Sequence, residues 1–154
     1  MPWDDDADIG IEEDKFSAYI DQLCKVDGIG YGQVIEPHTG VPFYKIWLKN
    51  GEKIENHVYT FPFVDLWLYN RKENDIVFNN GIICPGSAAC DLIEVLFEGA
   101  IFKIPYNSIE VLDTRYKDWK KKIRVYTWSH RYEKDIFIPL SLNIEVDDNG
   151  RMVS

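Results

Sequence analysis

The pattern of apolar and polar positions changes period once along the chain. Between Glu12 and Lys25 the residues Phe16, Tyr19, Ile20, Leu23 and Cys24 recur at helical spacing and line one face. Acidic residues in the first turn suit the positive end of a helix dipole, and Asp27-Gly28 supplies the stop. From Gly28 onward the alternation is that of strands. Tyr31–Glu36, Phe43–Lys49 and Glu52–Phe61 read as successive strands, with Pro37-His38-Thr39-Gly40 as the first turn.

Asn50-Gly51 predicts a two-residue hairpin turn, because both residues tolerate positive φ. That register sets Lys49 opposite Glu52 and Trp47 opposite Ile54. Glu98-Gly99 predicts a second hairpin, joining Leu92–Phe97 to Ala100–Ile104 and pairing Glu94 with Lys103. A third pairing joins Ile123–Ser129 to Ile136–Leu142, and the run Phe63–Phe78 reads either as a strand pair or as a short helix. The pattern therefore gives an α+β or mainly β fold. Its form is an N-terminal helix packed on a strongly bent antiparallel sheet or small barrel of about seven strands.

Length and composition fix the scale. The 154 residues, 45% hydrophobic and 14% aromatic, suit one globular body over 11–146, with a mobile acidic head at 1–10 and a loose tail at 147–154. The start, Met1-Pro2-Trp3-Asp4-Asp5-Asp6-Ala7-Asp8, is the opposite of a secretory signal, and no apolar run is long enough for a membrane span. Three cysteines, an odd number, read as reduced thiols, so a cytoplasmic location is expected.

Charge adds an asymmetry. Residues 1–15 hold seven acids against Lys15, whereas Arg115–Lys134 holds eight bases against Asp118 and Glu133, in a chain of formal net charge −9. Trp3, Asp4, Asp5, Asp6 and Asp8 form a candidate contact surface for a protein partner with a basic face. Arg115, Lys117, Trp119, Lys121, Arg124, Tyr126, Trp128 and Arg131 interleave cations with rings, a composition that can stack on a base and neutralise phosphate. They form a candidate site for a small anionic, nucleotide-like ligand. The overall negative charge argues against a long nucleic acid. Solvated lysines on an amphipathic connector explain the same strip without a ligand.

No catalytic signature stands out. Gly28-Ile29-Gly30-Tyr31-Gly32 follows a helix and precedes a strand, the reverse of a dinucleotide fingerprint. Cys84 and Cys90 are spaced too widely for a usual zinc pair, so neither a metal nor a cofactor is expected. Ser129 and His130 are adjacent, which points them to opposite faces of a strand. Asp65 is an acid among apolar neighbours, most simply placed on an outward-facing strand position. An enzyme would need His57, Asp65 or His130 to converge in a cleft. A short, acidic, aromatic-rich chain of this kind reads instead as a non-enzymatic binding protein. The expected type is an inhibitor, an immunity protein or a phage-encoded regulator. A small-ligand binder, a small enzyme and a self-assembling structural protein are the alternatives.

Overall fold

Alternation in the two long apolar runs, 42–53 and 60–72, decides the architecture. A computed structural model describes residues 6–36, 39–84, 91–97, 99–106, 108–125, 127–136, 138–147 and 152–153. It is mostly β, with antiparallel pairs and two short α-helices among the described residues, and these do not close into a barrel. No helix among them is long and apolar enough to cross a membrane. Within the span the composition reads as one body, the chain divides into two compact units. One comprises Met1–Asn70, Phe78–Ile82 and Val125–Ile138, and the other Arg71–Val77, Ile83–Arg124 and Pro139–Ser154.

The first unit is built on four strands: β1 (Asp8–Glu12), β2 (Ile29–Ile35), β3 (Pro42–Lys53) and β4 (Thr60–Lys72). β2 and β3 are antiparallel, as are β3 and β4, while β1 lies parallel to β4. Asp8, Ile9 and Gly10, which the sequence leaves in an acidic head, are thus strand residues opposite Asp65, Leu66 and Trp67. A 3-10 turn at Glu13–Lys15 leads into α1 (Phe16–Leu23), shorter than the predicted helix because Glu12 belongs to β1. Of its apolar face only Ile20 is fully buried, and the Phe16 ring lies 4.3 Å from that of Tyr44.

β3 runs unbroken through Asn50-Gly51, so the predicted hairpin turn is not there. The register shifts between Trp47 and Glu52, and Trp47 pairs with Phe63 rather than with Ile54. Gly51 serves this bulge: a Cβ on it would lie 2.7 Å from the Phe61 carbonyl oxygen and from Thr60 Oγ1. The Thr60 hydroxyl donates to the Leu48 carbonyl across the gap. The reversal comes later, at Glu55–Asn56, where Asn56 takes φ 65°. The longer connection lets Ile54 and Tyr59 bury beside Phe63, with Val34, Trp47 and Phe61 packed against them. Gly30 is the glycine that matters in β2, since a Cβ there would meet the Trp47 indole nitrogen at 2.5 Å.

Beyond β4 the ambiguous run resolves as strand. β5 (Asp75–Phe78) follows a turn at Glu73, φ 54°, and its Ile76 and Val77 pair with Cys84 and Ile83 of β6 (Ile83–Cys84). The second unit also holds the hairpin β7 (Leu92–Phe97) and β8 (Ala100–Pro105). Its register is the one the sequence predicts, Glu94 opposite Lys103 and Phe97 opposite Ala100, around Gly99 at φ 81°. α2 (Ser108–Arg115) follows. The third predicted pairing is split: β9 (Lys122–Val125) runs beside β12 (Leu140–Asn143), while β10 (Trp128–Ser129) pairs with β11 (Lys134–Asp135). Val146 and Met152 form an isolated bridge near the end of the chain.

Candidate active site

One row of residues crosses the sheet of the first unit. Lys45 on β3 pairs with Asp65 on β4, and Asp65 pairs in turn with Asp8 on β1. Directly opposed residues on neighbouring strands share a face, so these three side chains stand side by side. Asp6 lies just before β1, and its carboxylate reaches the same place. Carboxylate oxygens of Asp6, Asp8 and Asp65 accordingly lie within 4.8 Å of one another. The backbone N–H of Asp65 donates to the Ala7 carbonyl at 2.8 Å and fixes the approach.

Burial grades across the row. Asp65 and Lys45 are buried, Asp6 is half-buried and Asp8 is exposed, so the carboxylates open to solvent at the Asp8 edge. The outward position expected for Asp65 is therefore corrected: its side chain faces inward. Lys45 Nζ donates to Asp65 Oδ1 at 2.8 Å and Oδ2 at 3.2 Å. Burial holds the Asp65 carboxyl above the usual carboxylate range, against the opposing pull of Lys45, and the nearby Asp8 charge adds to the rise. Trp67 Nε1 donates to Asp8 Oδ1 at 2.9 Å, and His130 Nε2 lies 3.3 Å from Asp6 Oδ2. Each of the three acids is thus held by a group outside the cluster.

Phe63 puts its ring centroid 3.6 Å from Lys45 Nζ, with Tyr59 at 5.1 Å and Phe43 at 5.3 Å. Glu133, in the turn between β10 and β11, lies 3.6 Å from the same ammonium. Burial, followed by the charges of Glu133 and Asp65, pushes the Tyr59 hydroxyl well above the ordinary tyrosine range.

Of the histidines, His130 reaches this cluster, and His57 lies tilted against Tyr59, ring centroids 4.8 Å apart, in an exposed position outside any strand. Trp3, Asp4 and Asp5 lie outside the described residues, as do Tyr126, His38 and Cys90. The basic-aromatic strip falls in both units, Arg115, Lys117, Trp119, Lys121 and Arg124 in the second, Trp128 and Arg131 in the first. Some of its groups are already engaged. Trp119 Nε1 donates to Asp113 at 2.8 Å, and Arg131 pairs with Glu52 at 2.7 Å.

Three converging carboxylates form an all-oxygen donor set, the kind that hard divalent cations such as Mg²⁺ take. Held this close they also repel one another, and the single charge of Lys45 offsets only part of theirs. The arrangement fits a bound divalent cation. An Asp-x-Asp pair at the entry to one strand and a single Asp on its neighbour produce it, a signal present in Asp6-Ala7-Asp8-Ile9 and Val64-Asp65-Leu66.

The family model LicD/FKTN/FKRP, nucleotidyltransferase domain, matches residues 1–107. The chain belongs to this family. Membership overturns the reading as a non-enzymatic inhibitor, immunity protein or phage regulator, because the LicD family is one of transferase-like enzymes. The matched span contains Asp6, Asp8 and Asp65 together with Lys45. Searches of the curated proteins and of the solved structures give no match.

Proposed function

We propose that this LicD-family chain is a divalent-cation-dependent transferase acting on a phosphate-bearing donor of the nucleotide type. The observation that carries this reading is the convergence of Asp6, Asp8 and Asp65 within 4.8 Å. These three side chains would hold the cation. When bound, such an ion would neutralise phosphate oxygens and polarise the bond that breaks as the group is transferred. Asp65 supplies the anchored carboxylate, fixed by its place in the sheet, and Asp8 the carboxylate at the open edge, oriented by Trp67. Substrate phosphate would enter from that edge, since the Lys45 side is closed by rings.

Equilibrium dialysis of the full chain with nucleoside di- and triphosphates, with and without Mn²⁺, tests the proposal. Mn²⁺ is expected to raise nucleotide retention, and Asp65→Asn to abolish the gain. Retention that ignores Mn²⁺ would count against it.

A further inference from the structure

Lys45 poses a problem for any cation at this site. Its ammonium already engages both oxygens of Asp65, at 2.8 and 3.2 Å. A divalent ion on Asp65 would bring a second positive charge within a few ångströms in a poorly screened interior. An ammonium that stayed in place would oppose binding, and one expelled to solvent would have to leave a pocket where Lys45 is only 3% exposed.

A second seat exists inside the same pocket. Glu133 Oε1 lies 3.6 Å from Lys45 Nζ, close enough to pair electrostatically but too long for a hydrogen bond. Oε1 is buried and has no hydrogen-bond partner, although the Glu133 carboxylate also interacts with the Tyr59 hydroxyl, so this oxygen retains capacity to receive a donor. The Phe63 and Tyr59 rings lie 3.6 and 5.1 Å from the ammonium and offer it π faces as it turns. The four-carbon stem of lysine permits such a swing without backbone movement.

We infer that Lys45 is the internal counter-cation of the carboxylate site and that Glu133 is its alternate acceptor. In the cation-free site Lys45 neutralises Asp65. When a divalent ion takes Asp65, the ammonium turns to Glu133. This rests on the cation-binding reading above, and it adds to it a residue beyond the span matched by the family, since Glu133 lies past residue 107. Lys45 and Glu133 are positioning residues, acting on the cation through Asp65.

Calorimetric titration of Mn²⁺ into the full chain and its variants tests the inference. Glu133→Gln is expected to weaken Mn²⁺ binding by roughly 10- to 100-fold, the usual effect of removing a group behind a metal ligand. In the Lys45→Met background the same change is expected to have no effect, because no ammonium needs a second seat. An unchanged affinity in Glu133→Gln, or an equal loss in both backgrounds, overturns the inference. It leaves the cation site standing provided that Asp65→Asn still abolishes binding. Failure of the unmodified chain to bind Mn²⁺ removes both. Should Lys45→Met not fold, the side-chain resonance of Lys45 decides: Mg²⁺ is expected to shift it, and a resonance that stays still overturns the inference.

Discussion

Lys45 and Asp65 face each other across β3 and β4 as directly opposed residues, with Nζ 2.8 Å from Oδ1, both side chains buried. An ion pair withdrawn from water recovers its desolvation cost only through close geometry, and removing one partner strands the other. Lys45→Met is therefore expected to destabilise the cation-free protein by about 3–5 kcal/mol. Lys45→Met combined with Asp65→Leu should recover much of the loss, since neither charge is then buried alone. Urea denaturation of the three forms measures this, and equal stability of Lys45→Met and the unmodified chain would show that the pair is not formed in solution.

Gly30 makes room for a neighbour. With the Trp47 indole 2.5 Å from where its Cβ would stand, Gly30→Ala forces a rigid ring out of the cluster around Tyr59 and Phe63. The expected cost is about 1–3 kcal/mol, typical of overpacking. Thermal unfolding measures the loss, and the indole N–H resonance of Trp47 reports its displacement. A neutral substitution would mean that Trp47 does not lie over β2.

The glycine at position 30 shows how much of the chain was open to reading. Its row of neighbours, Gly28-Ile29-Gly30-Tyr31-Gly32, reads as a helix-to-strand connection, yet Ile29 to Gly32 already belong to β2, and the partner that demands Gly30 is on another strand. The β7–β8 hairpin was legible to the residue because its turn and its Glu94–Lys103 pair are local. Asn50-Gly51 misled because a bulge and a tight turn call for the same backbone freedom; only the contact of Gly51 with Thr60 and Phe61 separates them. The carboxylate site escaped for a related reason. It depends on a parallel pairing of β1 with β4, and no adjacent turn announces a parallel pair. Placed at the entry to β1 and opposite it on β4, Asp6, Asp8 and Asp65 come together; seen as part of an acidic head, the first two look merely solvating.

Cation binding should depend on pH through Asp65. Burial raises the pKa of this carboxyl, so it takes up a proton at a higher pH than an exposed aspartate does. A proton and a cation compete for the same oxygens, and Mn²⁺ affinity is expected to fall as pH drops through that raised range. The effect on folding has the opposite sense. With the folded pKa above the unfolded one, the native state binds the proton more readily, so this group favours folding more as pH falls through the folded value. Calorimetric titration at a series of pH values reads the first effect, and an affinity that declines only where ordinary carboxylates titrate would show that Asp65 is not the ligand.

Anomalous diffraction from crystals grown with Mn²⁺ would locate a divalent cation held by Asp6, Asp8 and Asp65. One strong anomalous peak is expected among these three carboxylates, absent from crystals of Asp65→Asn. A fully soaked crystal with no peak there, or with a peak that survives the substitution, would contradict it.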